Sequence, residues 1–246
     1  MTVPFPPRPR EVRPRAVLLP GTGSDADFVE RAFGAALSAR GIELIAVAPD
    51  PRAVVASYLA ALDGAAGTPG VLLVGGVSLG AAVATRWAVR QPNRLSGMLI
   101  GLPAWLGSPV GAPASLTAGH SATALRRHGL QAVLRDVDSS SPAWLAQELS
   151  RAWRRQWPDL PDALDEAAQQ PGPTEAELTQ LAVPTGVVGA VDDAVHPINV
   201  ARAWVRASPS AHLATIRLAE LGNDPAVLGE CCLRSWAAAC AQAAVS

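Results

Sequence analysis

The sequence predicts an α/β fold: a mostly parallel sheet of about six strands, flanked by helices and interrupted once by a helical insertion. Three observations carry this. Short, purely apolar runs alternate with stretches of helical periodicity. A Gly-x-Ser-x-Gly pattern falls at one strand-to-helix junction. Between about residues 104 and 182 helical patterns continue while strands disappear.

The elements follow in order. Residues 1–15 are rich in Pro and Arg, and proline offers no N–H to a sheet, so this segment reads as a tether preceding a domain over 16–246. Residues 16–19 form a buried strand closed by a Gly-rich turn. Asp25 opens a helix to about residue 40, with Phe28, Ala32, Phe33, Ala36 and Leu37 on one face, and Gly41 ends it. A strand over 42–48, a helix over 51–66, a strand over 71–77, a helix over 79–90 and a strand over 95–102 continue the rhythm. Such alternation implies βαβ units with right-handed crossovers. The insertion reads as helices over 117–137, 142–156, 160–169 and 174–181. It holds Trp105, Trp144, Trp153 and Trp157, which would either line an apolar pocket or hold the insertion to the sheet. A strand over 185–191, a helix over 197–207, a strand over 212–218 and a helix over 224–244 complete the chain. A helical insertion after one strand is how a cap over an active site is built.

Composition narrows the function classes. The chain has 246 residues, of which 49% are hydrophobic and 17% charged, so it can bury a real core. All 20 basic residues are arginine, and the formal charge is −1, which gives no electrostatic reason to expect nucleic acid or an anionic membrane as partner. No apolar run approaches the ~20 residues of a membrane-spanning helix. The opening residues lack the apolar core of a secretory leader. Three cysteines (Cys231, Cys232 and Cys240) crowd near the end of the chain in a helical pattern. These features lead us to expect a cytoplasmic protein with a small-molecule partner; a homodimer through an apolar cap is left open. No metal-ligand spacing, phosphate loop or dinucleotide fingerprint is present, and no cofactor is expected.

The segment with the most chemistry is Gly76-Val77-Ser78-Leu79-Gly80. A serine between a strand and a helix, flanked by glycines, sits in a sharp turn that lifts its hydroxyl clear of the backbone. The free N–H of Leu79 and the helix dipole lie beside it and can stabilise an oxyanion. In these residues the chain resembles the α/β-hydrolase superfamily, from residue 16 to about 244 except for the insertion. The resemblance implies a nucleophile at Ser78 and a second oxyanion donor in Pro20-Gly21-Thr22-Gly23, where Thr22 would offer its backbone N–H. It also implies a triad acid after the strand over 185–191. There Gly189-Ala190-Val191-Asp192 fits the family pattern, and Asp193 follows as a substitute.

The family's histidine follows the last strand. Here Asn223 stands at that position, and an amide cannot take a proton at neutral pH. His196, four residues past Asp192, is the first candidate for a displaced base or a substrate contact. His120 and His128 in the insertion could also reach down, and His212 reads as structural. The expected function is hydrolysis of a small, apolar ester or thioester by Ser78, Asp192 and His196, with Thr22 and Leu79 holding the oxyanion. Two other readings stand beside it: a cofactor-free lyase or cyclase on the same scaffold, and a catalytically impaired binding protein.

Overall fold

The structure is a computed structural model and describes residues 13–244; most of the Pro- and Arg-rich opening segment, residues 1–12, lies outside them. Six strands form one sheet: β1 (Arg15–Leu19), β2 (Glu43–Ala46), β3 (Leu72–Val77), β4 (Gly97–Gly101), β5 (Thr185–Ala190) and β6 (Ala211–Ile216). Their order is β2-β1-β3-β4-β5-β6, and every pairing is parallel.

The apolar runs are strands because side chains on both faces are buried. In β1, Val17 and Leu19 face one core while Ala16 and Leu18 face the other. In β4, Met98 and Ile100 face the first core and Leu99 the second. The first core is closed by α2 (Val54–Ala66), α3 (Leu79–Arg90) and α9 (Ile198–Ala207), through Tyr58, Leu62, Trp87 and Trp204. The second is closed by α1 (Ala26–Ser38) and α11 (Ala226–Ala243), through Phe28, Phe33, Leu228 and Cys232. Asp25 caps α1 as expected, accepting from Phe28 N–H at 3.1 Å.

Between β4 and β5 lie α4 (Pro113–His128), α5 (Leu130–Ser140), α6 (Ala143–Gln156), α7 (Leu160–Gln169) and α8 (Glu175–Thr179). Helices α4–α7 share a third core, built on Leu125, Leu134, Trp153, Leu160 and Leu164, while Ala163 and Ala167 of α7 and Leu178 of α8 pack into the first core. One long helix expected over 117–137 is two. Gly129, at φ 75° and ψ 163°, breaks it in a conformation that side-chain-bearing residues rarely adopt. A second difference follows β6: residues read as a loop form a short helix, α10 (Leu218–Asn223), which Glu220 helps to start by accepting from Arg217 N–H at 2.6 Å. Among the described residues no helix is long and apolar enough to cross a membrane.

Candidate active site

Ser78 joins β3 to α3. Its backbone has φ 54° and ψ −112°, a strained conformation for a residue with a side chain. Two contacts hold it there: Ser78 N–H donates to the Gly101 carbonyl at 3.0 Å, and the Ser78 carbonyl accepts from Ala82 N–H at 3.1 Å. The flanking glycines are needed for space, since a Cβ at Gly76 or Gly80 would collide with the Leu19 carbonyl oxygen. The turn therefore packs directly on the end of β1. Leu79 is the first residue of α3, and its N–H has no carbonyl one turn earlier to donate to.

The loop after β1 crosses the same spot. A Cβ at Gly21 would lie 3.3 Å from Ser78 Cβ, so Thr22 follows a residue already touching the serine. Tyr58, fully buried, holds this loop from the scaffold side by donating its hydroxyl to the Pro20 carbonyl at 3.0 Å. Burial pushes the Tyr58 hydroxyl pKa well up, aided by the charge of Glu166, so it stays a donor.

The loop after β5 brings the remaining groups. His196 Nε2 lies 2.9 Å from Ser78 Oγ, and His196 Nδ1 lies 2.8 Å from Asp193 Oδ2. The other carboxylate oxygen of Asp193 accepts from the N–H groups of Val195, at 2.8 Å, and His196, at 3.1 Å. The carboxylate thus folds its own loop into a tight turn that returns the imidazole toward Ser78. The three side chains are largely shielded: Ser78 is 6% exposed, Asp193 8% and His196 18%.

Burial pushes the Asp193 carboxyl up, but the bond to His196, that ring's charge and the two backbone N–H groups outweigh it, and the pKa lies below its ordinary 3.8. An ionised carboxylate accepts only. The neutral imidazole must then carry its proton on Nδ1, leaving Nε2 to accept from Ser78 Oγ–H.

The expected acid, Asp192, is not the histidine's partner. It is exposed, and its Oδ1 accepts from Leu218 N–H at 2.9 Å, tying this loop to the start of α10. The carboxylate facing His196 belongs to its neighbour Asp193, whose Oδ1 is held by the N–H groups of Val195 and His196 while its Oδ2 meets the ring. Asn223 ends α10 and is exposed. His120 and His128 both lie on α4, and His120 lines a separate surface cavity of about 550 Å³ on the insertion. His212 lies in β6 with Nδ1 buried and unpartnered. Among the described residues no group of three or more His, Cys, Asp or Glu side chains could hold a metal ion.

No family model matches the sequence, and no curated protein matches it. Solved structures do. A Mycobacterium tuberculosis protein is 19% identical with a TM-score of 0.69, over 92% of this chain and 91% of its own. A thermophilic esterase from Thermogutta terrifontis is 20% identical with a TM-score of 0.59, over 83% and 81% of the two chains. The enol-lactonase from Burkholderia xenovorans is 17% identical with a TM-score of 0.62, over 83% of each. The chain has the α/β-hydrolase fold. Within that fold the site sits where the sheet's strands deliver their carboxyl ends: Ser78 after β3, Thr22 after β1, Asp193 and His196 after β5. The insertion occupies the β4–β5 connection on the same side of the sequence order.

Proposed function

We propose that this α/β-hydrolase-fold protein is a serine hydrolase acting on a small, apolar ester or thioester, with Ser78 as nucleophile, His196 as base and Asp193 as the acid that orients it. The observation that carries this reading is the continuous relay from Asp193 Oδ2 through both ring nitrogens of His196 to Ser78 Oγ, at 2.8 and 2.9 Å. The earlier reasons for a lyase or a binding protein rested on Asn223 at the usual histidine position. A histidine within hydrogen-bond reach of Ser78 removes that ground.

In the reaction, Ser78 Oγ attacks the carbonyl carbon while its proton moves to His196 Nε2. Negative charge gathers on the carbonyl oxygen, where the N–H groups of Leu79 and Thr22 receive it. Asp193 stays ionised and stabilises the imidazolium. Collapse of the intermediate breaks the bond to the alcohol or thiol, which leaves with the proton from Nε2. Water, deprotonated by His196, then releases the acid and restores Ser78. Helices α4–α8 act as the cap. A small substrate is favoured because Ser78 is 6% exposed.

The test is intact-mass analysis after a fluorophosphonate, with turnover of p-nitrophenyl acetate in parallel. Wild type should gain one adduct, Ser78→Ala none, and His196→Ala should label slowly. A wild type that stays unlabelled where a known serine hydrolase is saturated refutes the reading.

A further inference from the structure

The loop proposed to carry the oxyanion donor, residues 20–25, is not held by the scaffold alone. Its first carbonyl, Pro20, is fixed by Tyr58 from α2. Its other end is fixed by α6 of the insertion, more than a hundred residues away in sequence. Gln156 Nε2 donates to the Ser24 carbonyl at 2.9 Å. Arg151 clasps the Asp25 carboxylate with two donors, Nη2 at 2.9 Å to Oδ1 and Nε at 3.2 Å to Oδ2. Arg155 adds a longer contact to Asp25, 3.4 Å. Between these anchors the indole of Trp153 lies on Gly23, where a Cβ would be 2.7 Å from Nε1, so even a methyl group there would push α6 away.

The residues that α6 meets at Gly23 and Asp25, and two of its own side chains, are buried, while Arg151 is partly and Arg155 largely exposed. Gln156, Asp25 and Trp153 are each 6% exposed or less. Arg151 is in turn braced by Glu148 at 2.6 Å, and Glu148 by Arg31 of α1 at 2.6 Å. A partly buried, bidentate guanidinium–carboxylate pair in a network fixes geometry better than a lone exposed ion pair does. Burial works against the Arg151 charge, yet Glu148 and Asp25 more than offset it and raise its pKa. The loop is thus held by Tyr58 at one end and by Arg151, Trp153, Arg155 and Gln156 of α6 at the other, and Thr22 lies between them.

We propose that Gln156 and Arg151 are positioning residues for the oxyanion hole, so that the donor after β1 is correctly aimed only while α6 is docked. The insertion would then do more than wall off the substrate: its seating and the assembly of the catalytic site are one event. This rests on Ser78 being the nucleophile and the N–H of Thr22 an oxyanion donor. Neither Gln156 nor Arg151 need touch the substrate. Losing either should lower the rate of the acylation step and leave binding of a small ester largely intact.

The experiment compares wild type, Gln156→Met, Arg151→Met and, as a control within the insertion, Arg126→Met, which removes the α4–α7 ion pairs with Asp162 and Asp165. Each is read by p-nitrophenyl acetate kinetics normalised to fluorophosphonate-titrated serine, and by thermal melting. Removing an oxyanion donor outright lowers kcat about 10²- to 10³-fold, so loosening one should lower it about 10- to 100-fold. We expect that fall for Gln156→Met and Arg151→Met, with KM changed less than about 3-fold and slower labelling of Ser78, while Arg126→Met keeps the wild-type kcat. If Gln156→Met does not fold, Gln156→Glu, which keeps the length but loses the donor, takes its place. Wild-type kcat per titrated serine in both α6 variants would overturn the proposal and leave the serine-hydrolase reading standing. An unlabelled wild type would overturn both.

Discussion

Replacing Asp193 by Asn changes one carboxylate oxygen to an amide, and the structure says which consequence dominates. The asparagine oxygen can still accept from the N–H groups of Val195 and His196, so the turn survives. The amide nitrogen then faces His196 Nδ1, now 2.8 Å from Asp193 Oδ2. An amide N–H is a donor, so Nδ1 must become an acceptor and the ring proton moves to Nε2. Nε2–H then points at Ser78 Oγ and cannot take its proton. The same inversion of tautomer in a serine protease triad lowers kcat about 10⁴-fold, and a loss of about 10³- to 10⁴-fold is expected here. At 1.36 kcal/mol per tenfold, that is about 4–5.5 kcal/mol of transition-state stabilisation. Asp192→Asn is the internal control, because its amide oxygen can keep the bond to Leu218 N–H. Its kcat/KM should change less than about 3-fold, as expected of a conservative exposed change. The assay is p-nitrophenyl acetate hydrolysis normalised to folded protein by circular dichroism. A larger loss from Asp192→Asn than from Asp193→Asn would refute the reasoning.

Two further outcomes follow from the same network of contacts. The first turn of α2 is capped from a distance: Ala53 supplies no side-chain acceptor, and Glu166 of α7 accepts from the N–H groups of Val54 and Val55 at 2.8 and 3.1 Å. Glu166→Ala should cost about 0.5–2 kcal/mol, visible as a lower denaturation midpoint, with activity per folded molecule unchanged. The second concerns pH. Because the Asp193 pKa is depressed in the folded chain, its contribution to stability is full above the ordinary carboxylate value of 3.8 and is lost as pH falls through the lower folded value. The stability gap between wild type and Asp193→Asn, measured by urea unfolding, should therefore be constant near neutral pH and close in strong acid. A gap that widened on acidification would contradict the assigned direction.

The fold was legible because it depends on features that repeat along the chain. Buried parallel strands need apolar side chains on both faces, and the runs around Val17, Val74, Leu99 and Val187 have them. The bounds of α3 (Leu79–Arg90) and α7 (Leu160–Gln169) match the residues read from sequence, since a glycine elbow and a proline mark their starts. The split of the first insertion helix was missed because a single Gly between helical patterns is a weak signal, and only its backbone angles show the break. The contacts of α6 with the loop after β1 had no local signature at all. Nothing around Gln156 or Arg151 in the sequence points to Ser24 and Asp25, the partners they meet in the fold.

The choice between two adjacent acids shows most clearly where local pattern stops. Asp192 and Asp193 are chemically identical, and a spacing rule taken from relatives selects the first. What separates them is their partners: Asp193 makes a turn with Val195 and His196, while Asp192 accepts from Leu218 N–H. On the proposed reading, that turn is how the site would work with Asn223 at the usual histidine position. With acid and base only three residues apart on one loop, their mutual geometry is set by two backbone N–H groups and does not depend on the segment after β6. That segment is then free for a structural task. It forms α10, whose Leu218 N–H is held by Asp192 and whose Gly222 lies so close to the Trp144 ring of α6 that a side chain could not be accommodated there. Asp192 thus ties the loop after β5 to the short helix that packs on α6, and Trp144 sits on the same helix as Gln156 and Arg151.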